Sequence, residues 1–223
     1  MRWVERLFKT WLIILLCREQ MSEESKDYKQ KDWQRHYDEN DLGWDLGQVA
    51  PPFIRLWDDG KLPLGKMLIP GCGRGHEVQF FSKNSFVVTA VDYSEGAVTY
   101  LKNALNEKNL EGRVLHQDFF SLDNSHNAFY DLVIEQTFFC AISPRQRQDY
   151  VQNVSRVLKP GGMLVGLFYH TDKEGGPPYN TTREDIEKHF SGHFKILKLE
   201  KEAHSVEQRK NREWLAILKK LDS

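Results

Sequence analysis

Cysteine is scarce in this 223-residue chain, and charge of neither sign is in excess. Cys17, Cys72 and Cys140 are an odd number with no CxxC spacing, which argues against a disulfide framework and leaves no zinc site, so no metal is expected. Free thiols fit a reducing, cytoplasmic setting. Lys and Arg number 31 against 32 Asp and Glu, a formal charge of −1. That balance excludes nucleic acid as the expected partner, because such proteins carry a marked basic excess. Repeats and low-complexity tracts are absent. No apolar run reaches the roughly 20 residues needed to cross a bilayer, so no membrane partner is expected. The nearest approach is "MRWVERLFKTWLIILLCREQ", where basic residues precede an apolar stretch from Trp11 to Cys17 and no small-x-small cleavage site follows. Residues 1–24 are read as an extension without a targeting role, disordered or a short helix. A surface helix and a signal or anchor are the alternatives. Residues 25–223 suffice for a single domain with its own core, taken as a monomer.

What is present is alternation. "KDWQRHYDEN" has helical spacing, and Phe53 to Trp57 form a short amphipathic stretch. "KMLIPG" is a short apolar strand that stops at glycines, and "GHEVQFFSKNS" follows as a helix with Val78 and Phe81 on one face. The β-branched run "FVVTAVDYS" predicts a second strand ending at Asp92, and "EGAVTYLKNALNEKNL" a helix with Ala97, Leu101 and Leu105 four apart. "RVLHQDFFSL" predicts a third strand ending near Asp118, and "YDLVIEQTFF" a fourth. "RQRQDYVQNVSRVLKPGG" predicts a helix closed by Pro160 and two glycines. "MLVGLFYH" is a fifth strand, "REDIEKHFSG" a helix, and "FKILKLEKEAHS" and "EWLAILKKL" close the chain as strands. The pattern predicts an α/β fold, a mainly parallel central sheet with helices on both faces. Ligands of such sheets sit beyond the carboxyl ends of the strands, at the switch in strand order.

The densest signal is "LIPGCGRGHEV", with glycines at 71, 73 and 75 between a strand and a helix. Its spacing is G-x-G-x-G, not the G-x-G-x-x-G of a dinucleotide fingerprint, and no Lys-Ser/Thr follows as in a phosphate-binding loop. The missing cation disfavours pyrophosphate. An uncharged adenosine held by close backbone approach fits, and so does a plain tight turn. Asp92, ending the second strand, is placed to accept both hydroxyls of a ribose; the alternative is an N-cap in "DYSEGA". "HQDFF" sets the acceptor Asp118 beside the aromatic Phe119, which suits an adenine ring and its amine.

Taken with "VVTAVDYSEGAV", "QDFF" and "VLKPGGMLV", the glycine turn resembles that of class I S-adenosylmethionine-dependent methyltransferases, which have a Rossmann-like sheet. The finer resemblance is to the thiopurine S-methyltransferase superfamily and, within it, the thiol and halide methyltransferases. It runs from about Trp33 to the C-terminus. Its specific pieces are Trp33, Tyr37 and Trp44 in "W-x3-Y-x6-W", "GWDLGQVAPP", "FFCAI", "GGPPY" and "AHSVEQRK". The resemblance implies S-adenosyl-L-methionine as cofactor, S-adenosyl-L-homocysteine as product, and an N-terminal helical lid over the cofactor. The implied cofactor contacts are Trp33, Tyr37, Trp44, Gly71, Cys72, Gly73, Asp92, Tyr93, Asp118, Phe119, Glu135 and Gln136. Tyr37 stands where plant members usually show tryptophan, and Gln136 where relatives show tyrosine or arginine. A plain packing role for Trp33 and Trp44 is the alternative to the lid.

The implied reaction is methyl transfer to a small, soft nucleophile: a thiol, bisulfide, a thiopurine or a halide ion. O- or N-methylation, and cofactor binding without turnover, are the other readings. Such acceptors react as anions, so no strong general base is needed; His170 and His204 are the candidates if one is used. Tyr179 in "GGPPY" is the expected catalytic residue, its hydroxyl donating to a bound anion; a hydrophobic plug is the alternative. Trp44, Phe138, Phe139, Cys140 and Tyr179 are the expected substrate pocket, with Cys140 a wall and not a nucleophile.

Overall fold

A computed structural model describes residues 28–222; the expectation for residues 1–24, and Cys17 with it, lies outside them. The strands are β1 (Lys66–Pro70), β2 (Val87–Asp92), β3 (Arg113–His116), β4 (Tyr130–Gln136), β5 (Leu158–Tyr169), β6 (Phe194–Lys201) and β7 (Glu213–Lys220). They form one sheet in the order β3-β2-β1-β4-β5-β7-β6. All neighbours from β3 to β5 are parallel, whereas β7 runs antiparallel between β5 and β6. The central strands are buried on both faces, which is why Met67 to Ile69 and, Thr89 apart, Val88 to Val91 read as apolar runs without alternation.

The helices are α1 (Gln30–Asp38), α2 (Pro51–Asp58), α3 (His76–Lys83), α4 (Glu95–Glu107), α5 (Arg147–Val157) and α6 (Arg183–Phe190). All but α1, which has no buried residue, bury one stripe: α3 Val78 and Phe81, and α4 Ala97, Val98, Leu101 and Leu105. One face of the sheet packs Phe53, Met67, Phe81 and Leu101, and the other Tyr130, Phe139, Tyr150, Phe168 and Phe190. A fully buried ring such as Phe81 contributes about 1.5–3 kcal/mol to that core. α6 starts with a capping box, in which the Thr182 hydroxyl accepts from Asp185 N (3.1 Å) and the Asp185 carboxylate from Thr182 N (2.9 Å).

Two boundaries differ from the sequence reading. α5 stops at Val157, and "LKPGG" opens β5 instead of closing the helix. Proline forces the residue before it into extended backbone, and Gly161 at φ +71° carries the register shift by which β5 joins β4. β3 ends at His116, and Asp118 caps the short turn Phe119–Ser121 by accepting from Phe120 N at 2.9 Å. The order of the sheet reverses between β1 and β4, so the carboxyl ends of β1, β2 and β4 open onto one crevice.

Candidate functional site

The crevice is a cavity of about 510 Å³, within the range of small-molecule sites. Its floor is the glycine turn. Cys72 N donates to Val91 O at 3.1 Å, which fastens the turn to the end of β2. Gly71, Gly73 and Gly75 all have positive φ, at +58°, +53° and +70°. A Cβ on Gly71 would overlap the Phe138 ring, and one on Gly73 would stand 3.4 Å from the Tyr37 hydroxyl. Bare backbone is thus required on the cavity side.

Asp92 lies beside this turn, 9% exposed. Its Oδ2 accepts from Gly73 N (3.0 Å) and its Oδ1 from Ser94 N (2.9 Å). Burial pushes its carboxyl up, and the two amides oppose that shift. The N-cap of α4 is Ser94 and no side chain caps the helix, so the carboxylate instead closes a short turn ahead of α4, and it still faces the cavity. Tyr93, Asp118 and Phe119 continue the same wall. The Phe119 ring meets Phe138 edge-on, centroids 5.8 Å apart, leaving a flat apolar slot beside the exposed Asp118 carboxylate.

α1 and the loop after it roof the cavity with Trp33, His36, Tyr37 and Trp44. Trp33 and Trp44 pack edge to face at 5.4 Å, and Tyr37 meets Trp44 at 6.0 Å. A cluster of electron-rich rings suits a cation such as a sulfonium. Burial, then the charge of Asp92, raise the Tyr37 phenol, so it stays a neutral hydroxyl. Several polar contacts hold the roof down. Gln34 Oε1 accepts from Gly96 N at 3.1 Å, and Gln30 Nε2 donates to Tyr93 O at 2.5 Å. Asp45 lies 2.7 Å from His76 Nε2 and 3.3 Å from Arg74 Nη1. Burial opposes ionisation of Asp45, but bonds from His76 and Gly47 outweigh it and hold its carboxyl below the usual range. A Cβ on Gly96 would stand 2.6 Å from Tyr37 Cβ. Gly96→Ala is expected to lift α1 and weaken S-adenosylhomocysteine binding by roughly tenfold, the effect of moderate overpacking, with little loss in melting temperature. Calorimetric titration beside a thermal melt checks this.

The rest of the wall comes from Gln136, Thr137, Phe138, Cys140, Ala141, Ile142, Gln146, Tyr169, Pro177, Pro178, Gln208 and Arg209. Cys140 donates its Sγ–H to Thr137 O (3.4 Å), and burial pushes its thiol up to about 12. It is a neutral wall and not a nucleophile. Arg209 was not singled out by sequence. It is 7% exposed, donates Nη2–H to Trp44 O at 2.9 Å, pairs with Glu213 at 3.6 Å and stacks 4.9 Å from the Tyr169 ring. The only hint was its place in "AHSVEQRK", one of the stretches behind the family resemblance.

Three expected site residues lie behind the wall instead of on it. Glu135 is fully buried and spends its carboxylate on Phe138 N, Phe139 N and the Tyr150 hydroxyl. Phe139 is packed in the core against Tyr150, Phe168 and Phe190. Tyr179 donates its backbone N–H to Cys140 O at 2.7 Å, and its hydroxyl, buried, has no hydrogen-bond partner among the described residues. In "GGPPY" the two prolines take the cavity wall while the ring turns away over Gly176 into a separate depression with Pro144, Thr171 and Asn180. His170 and His204 do not reach the wall either. His170 lies 3.6 Å from Asp172, and His204 bonds Glu202 and Arg55. Among the described residues no group of three metal-ligating side chains occurs, and no helix is long and apolar enough to cross a membrane.

The family model described as Thiopurine S-methyltransferase matches residues 28–220. The chain is 33% identical over 196 residues to thiocyanate methyltransferase 1 of Brassica oleracea, covering 85% of each chain. It is 26% identical over 175 residues to a thiopurine S-methyltransferase of Pseudomonas fluorescens, covering 70% of this chain and 79% of that one. Among solved structures, the 1,6-didemethyltoxoflavin-N1-methyltransferase of Burkholderia thailandensis, with S-adenosylhomocysteine bound, superposes with a TM-score of 0.69 at 19% identity, over 86% of this chain and 87% of that one. That last likeness establishes the shared fold.

Proposed function

We propose a specific activity from one premise: the chain belongs to the thiopurine S-methyltransferase family and is an S-adenosyl-L-methionine-dependent methyltransferase. Its acceptor is a small, soft nucleophile, and the reading advanced is an anion of the thiocyanate, bisulfide or halide type. A thiocyanate methyltransferase is among the relatives, 33% identical to this chain. The observation that carries the reading is Arg209, a cation buried on a wall whose other members, among them Thr137, Phe138, Cys140, Ile142, Tyr169 and the two prolines, carry no charge.

The residues present fit the cofactor. Its sugar belongs at Asp92, its base in the slot of Phe119 and Asp118, and its cationic end under Trp33, Tyr37 and Trp44, over backbone that tolerates no Cβ at Gly71. When bound, the cofactor supplies a methyl group already activated on a sulfonium. The chain supplies position and a dry site. Holding the acceptor in line is worth about 7–11 kcal/mol of barrier. Arg209 attracts and orients the anion, while the apolar wall strips the water that blunts a soft nucleophile. The anion needs no deprotonation, so neither histidine lining the cavity, His36 in the roof or His76 beside Asp45, is called on as a base. The described residues of one chain enclose the cavity, which supports action as a monomer, and the two buried free thiols Cys72 and Cys140 support a cytoplasmic setting.

The test is transfer of a deuterated methyl from labelled cofactor, read by mass spectrometry with thiocyanate, iodide, bisulfide, thiophenol and mercaptopurine as acceptors. Labelled methyl thiocyanate, methyl iodide or methanethiol is expected. Cofactor binding with no product from any acceptor would overturn the reading. Arg209→Gln is expected to lower kcat/KM for anionic acceptors by roughly tenfold to a hundredfold, the range for removing a charged partner in a dry site. Arg209→Lys should retain part of it.

A further inference from the structure

Glu135 is a fully buried carboxylate at the active edge of the sheet that no step above uses. Its Oε1 accepts from both Phe138 N and Phe139 N at 2.9 Å, and its Oε2 accepts from the Tyr150 hydroxyl of α5 at 2.5 Å. The turn it clamps opens with Thr137, a β-branched residue at φ +59°, a conformation that survives only where the surroundings enforce it. The clamp has two visible consequences. Phe138 is held over Gly71 and edge-on to Phe119, and Cys140 and Ala141 are delivered to the cavity. β5 leaves room for this, since a Cβ on Gly166 would stand 3.1 Å from Glu135 Cβ.

We propose that Glu135 is a positioning residue for methyl transfer, its carboxylate setting, through the amides of Phe138 and Phe139 and the hydroxyl of Tyr150, the strained turn that forms the acceptor wall. The inference rests on the methyltransferase reading given above. The groups facing the carboxylate are the Tyr150 phenol from α5 and the Cys140 thiol from the turn itself; β5 presents Gly166, and the cations Arg147 and Arg209 act on Cys140. Burial raises the Glu135 carboxyl to about 7, against the lowering effect of the amides and of Tyr150. Above that pH the amide bonds are charge-assisted and the turn is tight. Below it Oε2 carries a proton and donates it to the Tyr150 oxygen, whose own hydrogen turns away, and the amide bonds weaken to neutral strength. Turnover accordingly rises as pH rises through about 7.

The experiment compares wild type, Glu135→Gln and Tyr150→Phe with iodide as acceptor, an anion at every pH used, so that the acceptor itself does not titrate. Glutamine keeps an acceptor for the two amides but not the charge. Expected are a wild-type kcat that climbs through about pH 7, and a Glu135→Gln profile flat there and roughly tenfold lower at the alkaline end. Because glutamine still accepts from Phe138 N, the Kd for S-adenosylhomocysteine should rise by clearly less than the roughly tenfold fall in kcat. Tyr150→Phe should shift the midpoint of the climb. A Glu135→Gln profile identical to wild type overturns the proposal. So does a loss of kcat that merely follows loss of cofactor binding or of melting temperature. The amide proton shifts of Phe138 and Phe139 are followed by NMR over the same pH range, and should titrate in wild type and stay fixed in Glu135→Gln. If no acceptor is methylated, the functional reading falls by itself, and amide shifts that fail to titrate sink the clamp independently.

Discussion

Asp92→Ala weakens S-adenosylhomocysteine binding by about 1–3 kcal/mol, roughly 5- to 150-fold in Kd, the cost of removing an acceptor from buried hydrogen-bonding groups. The structure adds a second expected effect. The same carboxylate accepts from Gly73 N and Ser94 N, so alanine orphans two backbone donors, one in the glycine turn and one at the start of α4. Melting temperature should fall as well, by about 2–4 °C for each kcal/mol lost in a chain of this size. Asp92→Asn retains one carbonyl oxygen but presents an amide N–H to the other donor, and should fall between. Calorimetry and a thermal melt separate the two effects. Unchanged affinity in Asp92→Ala would remove the carboxylate from the ribose contact, whatever happened to stability.

Gly71→Ala has the largest expected effect on the fold at the site. Two costs add there. The φ of +58° costs a non-glycine residue about 1 kcal/mol. The new methyl also drives into the Phe138 ring, and overpacking of that kind costs about 1–3 kcal/mol more. A total of roughly 2–4 kcal/mol of stability should be lost, read by denaturant titration. Because Phe138 also forms one side of the slot at Phe119, cofactor affinity should fall with it. Gly47→Ala is the control. Gly47 has φ +68° but nothing within 4 Å of the added Cβ, so only the backbone cost of about 1 kcal/mol should appear. Equal losses at the two positions would contradict the steric account.

Much of this was legible in the chain because parallel strands buried on both faces announce themselves. Met67 to Ile69 and, Thr89 apart, Val88 to Val91 are apolar runs buried without a break, and they stop just short of Gly71 and Asp92, which border the cavity. The residues mistaken for wall share a cause. Neighbours in a strand point to opposite faces, so Gln136 could take the cavity only by sending Glu135 behind it, and a left-handed Thr137 then resets the phase for Phe138 and Phe139. Adjacency in "IEQTFFC" does not reveal that turn. Tyr179 was misplaced for a similar reason: in "GGPPY" the stiff prolines, and not the ring they were expected to aim, face inward. Arg209 escaped notice because its meaning is long-range. It donates to the carbonyl of Trp44, 165 residues away, and no local pattern encodes that meeting. The helix that ended early at Val157 shows the converse, a breaker in "LKPGG" whose local rule was known but whose extended alternative was drawn into the sheet.

The most direct measurement is a crystal structure of the chain soaked with S-adenosylhomocysteine and thiocyanate. The account predicts ribose hydroxyls within hydrogen-bonding reach of Asp92, the adenine against Phe119, the sulfur under Trp44, and the anion between that sulfur and Arg209. Nucleoside density anywhere but over the turn from Gly71 to Gly75, or an anion on the far side of the roof from Arg209, would contradict it.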